Sequence, residues 1–97
     1  MIKVTCEPKA YRVTVEGHSG SAPKGEDLVC AAVSIITLTL AEMVLTVCND
    51  REVELRDGFA KIRGTKEAAQ YFDFARTAYK ALAAEFPEYV LLADRYA

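Results

Sequence analysis

The chain's only histidine and one of its three cysteines lie twelve positions apart. His18 stands in a Gly-His-Ser-Gly run, and Cys30 follows the run Gly-Glu-Asp-Leu-Val at the start of an apolar segment. A cysteine attacks a carbonyl carbon as the thiolate, and a free thiol is mostly protonated at neutral pH. An adjacent imidazole can take that proton and act as counter-ion. The pair therefore predicts thiol-protease chemistry, with Cys30 as nucleophile and His18 as base.

Residues 28–48 are predicted to form one long helix, with Asp27 as its N-cap and Cys30 in its first turn. An N-cap carboxylate accepts hydrogen bonds from the free backbone N–H groups there. The helix dipole favours a thiolate by up to about 1 kcal/mol at an exposed site. That is less than the roughly 1.4 kcal/mol needed for one pKa unit, so His18 must supply the rest. Spare N–H groups at this helix end would bind an oxyanion.

Each of these residues also has an ordinary structural interpretation. A cysteine on an apolar helix is usually buried and inert, and glycines beside a histidine often only make a turn. Asp27 either orients His18 or only caps the helix. Ser34 lies one turn after Cys30, where it either bonds to the site or back-bonds to its own helix. The combination of histidine, Gly-rich loop, N-cap and cysteine favours the catalytic interpretation.

The run Gly-His-Ser-Gly followed by Asp-Leu-Val-Cys-Ala-Ala-Val-Ser resembles the signature of the bacterial ribosomal-processing cysteine proteases, the Prp family. The resemblance extends over the whole chain, and His18 and Cys30 fall on the family's base and nucleophile. Ser19 replaces the alanine that is usual after the histidine. The positions that match the motif are His18, Gly20, Gly25, Asp27, Cys30 and Ser34.

This resemblance implies a narrow endopeptidase that uses a Cys-His dyad to remove the short N-terminal extension of large-subunit ribosomal protein number twenty-seven. It also implies cleavage after a bulky apolar residue, and hence an apolar cleft beside Cys30. The expected partners are that N-terminal peptide, the ribosome in transient association, and a second copy of the chain in a homodimer. The apolar second face of the first helix also favours the homodimer.

Two other functions fit parts of the pattern. A non-catalytic ribosome-associated peptide-binding or assembly factor would bind the peptide without cutting it, and would tolerate Cys30→Ala. A redox sensor would need a resolving thiol. Cys48 lies about 27 Å along the helix from Cys30 and cannot serve.

The composition predicts one soluble domain spanning 1–97, since 52% of the 97 residues are hydrophobic and 27% are charged. A net charge of −2 without a basic cluster argues against direct nucleic-acid binding. Three dispersed cysteines and one histidine predict no disulfide framework, no metal site and no cofactor. We expect a cytoplasmic location, because free thiols suit a reducing compartment and no secretion signal is apparent.

Residues 28–48 approach the length that spans a membrane. Glu42 and four hydroxyl residues interrupt the apolar stretch, and neither end carries basic or aromatic anchors. We therefore predict no membrane span, but a core helix covered by the sheet and a partner.

Alternating apolar residues predict two strands joined by a tight connection at 8–10. Asp57-Gly58 is a strong signal for a second hairpin between residues 51–56 and 59–64. Its register sets Val53 opposite Ile62 and Leu55 opposite Ala60, with Glu54 opposite Lys61 and Glu52 opposite Arg63 on the other face. We interpret this hairpin as structural.

Thr65 is expected to cap a second helix that Pro87 terminates, and residues 88–97 are expected to add an edge strand or to pack on a partner. The fold class is therefore α+β, a two-layer ββαββα arrangement in which two helices pack on an antiparallel or mixed central sheet. Segment 19–26 is expected to close over an extended peptide that pairs with an exposed strand edge. The second helix's apolar stripe comprises Ala68, Phe72, Ala75, Tyr79, Leu82 and Phe86.

Overall fold

The computed structural model describes residues 1–17 and 24–96, and residues 24–27 by their backbone only. Within these residues the chain forms five strands and two long helices, in the order ββαββαβ. The elements are β1 (Ile2–Glu7), β2 (Arg12–Glu16), α1 (Lys24–Val47), β3 (Glu52–Arg56), β4 (Phe59–Arg63), α2 (Ala69–Glu85) and β5 (Val90–Asp94).

The strands form one mixed sheet in the order β3-β4-β2-β1-β5. Neighbouring strands are antiparallel except β5, which runs parallel to β1. Inward side chains such as Val4 and Ile62 are fully buried and join side chains of both helices in one core. The α+β architecture with a C-terminal strand is confirmed, and the sheet is the mixed type.

The second hairpin has the predicted register, with Val53 opposite Ile62 and Leu55 opposite Ala60. Strand β4 also pairs with β2, which sets Val15 opposite Ala60. One inward row of side chains therefore runs from Val15 through Ala60 to Leu55. On the outer face the opposing charges meet, and Lys61 Nζ lies 3.4 Å from the Glu52 carboxylate.

Helix α1 begins at Lys24, four residues earlier than predicted. Asp27 is therefore the fourth residue of the helix and not its N-cap, and Gly25 lies in the helix and not in a loop. Acidic residues are favoured at the N-cap and also in the first turn, where they interact with the helix dipole. The Glu26-Asp27 pair suits the first turn equally well, so the local sequence did not mark the boundary.

Helix α1 buries one side in the core and exposes apolar side chains on the other. Val29, Val33 and Val44 are buried, whereas Leu28 and Ile35 are exposed. The stretch Leu28–Val47 is long and apolar enough to cross a membrane by length and composition, and 33% of it is buried. The core helix of a soluble protein can have the same length and apolar composition.

Helix α2 begins at Ala69, after a short 3-10 turn over Lys66–Ala68, rather than directly after Thr65. Thr65 makes no side-chain capping bond to the backbone, and its hydroxyl bonds to the Glu67 carboxylate and to Cys48 Sγ. The predicted stripe packs inward, with Ala68, Phe72, Ala75 and Tyr79 buried and Leu82 and Phe86 partly buried.

Candidate active site

A cleft of about 410 Å³ opens between α1 and the end of the sheet where β3 turns into β4. Helix α1 forms one wall over two successive turns and part of a third. Cys30 lies at one end of this wall, Leu38 lies at the other, and both are only partly buried. The side chains that α1 contributes are Cys30, Val33, Ser34, Thr37 and Leu38.

The sheet supplies the opposite wall of the cleft. Ile2, Val15 and Ala60 are buried and make an apolar floor. Leu55 stands at the mouth and is 46% exposed, close to the 48% of Leu38 across the cleft. The cleft therefore presents apolar surface to an occupant, with a thiol at one end.

The turn between β3 and β4 forms the rim of the cleft, although we predicted only a structural role for this hairpin. Asp57 and Gly58 line the cleft together with Arg56. The Arg56 guanidinium carbon lies 4.3 Å from the Phe59 ring centroid, and its Nε donates to Glu54 at 2.9 Å. These contacts brace the rim on its solvent side. No local sequence signal indicates this placement, because the long-range pairing of β4 with β2 brings the turn beside Gly17.

Gly17 connects this rim to the end of β2. Its N–H donates to the Gly58 carbonyl at 3.0 Å, and its φ is +96°. A Cβ at this position would lie 2.3 Å from the Met1 carbonyl oxygen. Glycine is therefore required here, both for the left-handed backbone and for the close approach. The residue that immediately precedes His18 is thus held at the cleft.

Cys30 differs from the other two cysteines in its surroundings. Cys6 and Cys48 are buried, and none of the three thiols forms a disulfide. Burial raises the pKa of the Cys6 thiol to about 11, with a smaller contribution from the Asp94 carboxylate. Cys30 alone combines partial exposure with a position in the cleft.

The early start of α1 changes the environment predicted for Cys30. It is the seventh residue of the helix, whereas the N–H groups without helical partners belong to the first four. The N–H groups at the helix start therefore lie about one turn before Cys30, and the first-turn placement was wrong.

Ser34 lies in the cleft with Cys30, one turn farther along α1, as its spacing predicted. The other predicted supporting residues are less fully described. Asp27 and Gly25 are located by backbone only, and His18, Ser19 and Gly20 lie outside the described residues.

A buried hydroxyl pair behind the cleft was not predicted. Thr37 Oγ1 donates to the Val33 carbonyl at 2.7 Å and lies 2.7 Å from the Tyr79 hydroxyl. Since Thr37 has one hydroxyl hydrogen, Tyr79 is the donor to Thr37. This bond ties α2 to the turn of α1 that follows Ser34.

The solved structures that share this fold include the following three. Two are the essential ribosomal processing protease Prp from S. aureus, one with a covalently linked product peptide and one with a substrate peptide. The structure with the product peptide has a TM-score of 0.81 and a sequence identity of 20%, and the match covers 98% of this chain and 100% of that chain. The structure with the substrate peptide has a TM-score of 0.79 and a sequence identity of 16%, and the match covers 97% of each chain. The third, SMU.848 from Streptococcus mutans, has 0.75 at 24%, covering 99% and 93%.

Sequence comparison gives the family. No curated protein sequence matches the chain. The family model for the cysteine protease Prp matches residues 1–91, which is nearly the whole chain. The chain, with its thiol at one end of an apolar cleft, therefore belongs to the Prp family of cysteine proteases.

Proposed function

We propose that this protease removes the short N-terminal extension of large-subunit ribosomal protein number twenty-seven, with Cys30 as nucleophile and His18 as base. The observation that carries the proposal is the partly exposed Cys30 at one end of an apolar cleft. A bulky apolar residue before the scissile bond suits the floor of Ile2, Val15 and Ala60. His18 is the chain's only histidine and follows Gly17, which lines the same cleft.

The chemistry is acyl transfer in two steps. The His18 imidazole takes the thiol proton, and the Cys30 sulfur bonds to the scissile carbonyl carbon. The carbon–nitrogen bond then breaks, and the imidazolium returns the proton to the leaving amine. Water, deprotonated by His18, hydrolyses the thioester to the carboxylic acid and restores the thiol.

Four further residues are proposed to support the dyad. The Ser34 hydroxyl lies in the cleft and makes no hydrogen bond to the described residues, so it is available to the substrate. Asp27 precedes Cys30 by three positions on α1, close to one helical turn. Gly20 and Gly25 stand on either side of the junction between residues 18–23 and the helix.

The substrate backbone is proposed to pair with the free edge of β3. In a two-residue hairpin the two residues that flank the turn, here Arg56 and Phe59, form a hydrogen-bonded backbone pair. Along β3, every second residue from Arg56 is then hydrogen-bonded to β4, and the residues between them are not. The backbone groups of Val53 and Leu55 therefore point away from β4. Leu55 on this edge lines the same cleft as Cys30, whereas none of the residues that line the cleft belongs to the β5 edge. Protection of the Val53 and Leu55 amides from hydrogen exchange by substrate peptide tests this pairing, and unchanged exchange contradicts it.

A homodimer and a cytoplasmic location complete the proposal. The exposed apolar side of α1 offers a surface that a second copy would cover. Three unpaired cysteines suit a reducing compartment. Ribosome contact would be transient, because twelve basic and fourteen acidic residues nearly balance.

The decisive experiment uses a synthetic peptide that spans the extension and the first residues of the mature ribosomal protein. Wild type, Cys30→Ser and His18→Ala are incubated with it, and the products are identified by mass spectrometry. We expect one cut by wild type and none by either variant. Lys61→Ala, on the outer face of β4, is the matched control and should cut normally.

Alkylation supplies a second readout that needs no substrate. Iodoacetamide should modify Cys30 before the buried Cys6 and Cys48 in the folded protein. Wild type that binds the peptide and leaves it whole, with Cys30 reacting no faster than a free thiol, would instead support the non-catalytic assembly factor.

A further inference from the structure

The depth of the cleft depends on a small residue in β4. Ala60 and Ile62 are the inward residues of this strand, two positions apart on the same face. Ile62 is fully buried under the helices and lies outside the cleft lining, whereas Ala60 forms part of the cleft floor. At position 62 the isoleucine side chain fills the space between the strand and the helices. At position 60 the single methyl group of alanine leaves the corresponding space open.

The neighbours of Ala60 do not close that space. Val15 lies opposite Ala60 on β2, and Leu55 lies opposite it on β3, so all three share one row across the sheet. Leu55 is half exposed at the mouth, although it faces the helix layer. The gap above Ala60 is therefore flanked by Val15 and Leu55 within the sheet, and it belongs to the same cleft that the side chains of α1 line.

The helix wall places the thiol in the same cleft as this gap. Cys30, Val33, Thr37 and Leu38 of α1 face the floor across the cleft. Cys30 and Leu38 are separated by about 12 Å along the helix axis, given a rise of about 1.5 Å per residue. An extended peptide places successive residues about 3.3 Å apart. A peptide whose carbonyl reaches Cys30 can therefore insert a nearby side chain over Ala60.

We propose that Ala60 determines the size of the apolar substrate side chain that is accepted beside Cys30. The inference rests on the proposed peptidase function and names the residue that sets its selectivity. The occupant is an aromatic or long aliphatic side chain, because Ile2, Val15 and Val33 surround the gap with apolar groups. Extra methyl groups at position 60 point into the same space and exclude that side chain.

The test uses peptides that differ only in one residue, phenylalanine, leucine or alanine, placed in turn at each of the three positions before the scissile bond. Cleavage is measured as kcat/KM. Affinity is measured separately by fluorescence anisotropy in a Cys30→Ser background. The variants are Ala60→Val and Ala60→Leu, and Ile62→Val is the matched control on the same strand and face.

At one of the three positions, wild type should prefer phenylalanine to alanine, and Ala60→Leu should lower that preference about tenfold or more in both assays. Ala60→Val should give an intermediate shift, which protects the test if the leucine variant does not fold. Ile62→Val should lower the stability and leave the preference unchanged.

The two assays separate the two claims. One outcome is that the phenylalanine peptide binds preferentially, that Ala60→Leu abolishes this preference, and that wild type cleaves no peptide. This outcome supports the role of Ala60 and refutes the peptidase function. Cleavage by folded Ala60→Val and Ala60→Leu with the wild-type preference at every position overturns the role of Ala60. Equal affinity for all the peptides in the Cys30→Ser protein that retains Ala60 also overturns the role of Ala60.

Discussion

Gly17 is the residue at which sequence, backbone and site are most tightly linked. Its positive φ and its contact with the Met1 carbonyl require glycine, and its N–H bond to Gly58 joins β2 to the rim of the cleft. The next residue in the chain is His18. Gly17 thus fixes the backbone immediately before the proposed base in the sequence, although it performs no chemistry itself.

Replacing Gly17 with alanine should lower both stability and activity. The alanine methyl group meets a backbone oxygen, and the positive φ is unfavourable for it, at a combined cost of about 1 to 3 kcal/mol. The free energy of unfolding from urea titration measures the first effect, and peptide cleavage measures the second. Glu16→Ala, one position earlier and exposed, is the control. Equal stability of Gly17→Ala and wild type would contradict the steric argument.

The Tyr79 hydroxyl makes the stability of the fold depend on pH in the alkaline range. Burial raises the pKa of Tyr79 from 10.0 to about 12. The unfolded chain thus loses this proton at a lower pH than the folded protein does. The contribution of this proton to the free energy of unfolding is complete below pH 10 and is lost as the pH rises toward 12.

Tyr79→Phe should therefore lower stability at pH 7 by about 1 to 2 kcal/mol, because Thr37 loses a buried donor. It should also reduce the further loss of stability between pH 10 and 12, measured by urea unfolding over that range. Tyr71→Phe, on the same helix and only partly buried, is the control. An unchanged alkaline slope in Tyr79→Phe would show that Tyr79 does not cause it.

At the scale of elements, the β3–β4 hairpin contributes more than a packing face. Leu55 carries apolar surface to the mouth of the cleft, opposite Leu38 of α1. A substrate that enters between them covers both side chains. The hairpin is thus part of the proposed substrate surface, whereas on its outer face Glu52 pairs with Lys61 and Arg63.

Leu55→Glu should lower kcat/KM for the extension peptide by about tenfold, since about 1.5 kcal/mol of apolar burial is lost. Its stability should change little, because the side chain is half exposed in the free protein. Leu91→Glu provides the comparison, since Leu91 is equally exposed on the opposite edge strand, β5. Equal loss of activity in the two variants would remove the hairpin from the substrate surface.

The elements were predictable because their signals are local. The Asp57-Gly58 turn fixes the register of its own hairpin, and the alternation in β1 and β2 fixes which face is inward. The order of the strands is set by long-range pairing, which no short stretch encodes. For that reason the pairing of β4 with β2, and with it the place of Ala60 in the cleft, was found only in the structure.

The candidate site was predicted in type better than in geometry. Cys30 was predicted from its spacing to His18 and its place at the start of a helix, and Ser34 from its position one turn later; both line the cleft. The start of α1 was misplaced because acidic residues suit both the N-cap and the first turn. The hydroxyl pair of Thr37 and Tyr79 joins residues 42 positions apart, so periodicity within either helix does not reveal it.

At the scale of the whole molecule, one side of α1 carries a row of exposed apolar side chains. Leu28, Ile35, Leu38 and Leu45 are each at least 42% exposed. Together with Ala31 and Glu42 they are spaced by alternating steps of three and four, the spacing of a helix-to-helix seam. Leu38 belongs both to this seam and to the cleft mouth, so a second copy on α1 would lie next to the substrate.

This arrangement predicts a dimer that Ile35→Glu disrupts. Two copies of Ile35 would lose about 3 to 6 kcal/mol of apolar burial in total, which weakens association by roughly two to four orders of magnitude. Sedimentation should give a dimeric mass for wild type and a monomeric mass for Ile35→Glu, with unchanged circular dichroism. Phe74→Glu, at a 79% exposed position on α2, should remain dimeric. A monomeric wild type, or a dimeric Ile35→Glu, would exclude the α1 seam.

If the variant is monomeric and its KM also rises, the partner lies against the substrate through Leu38.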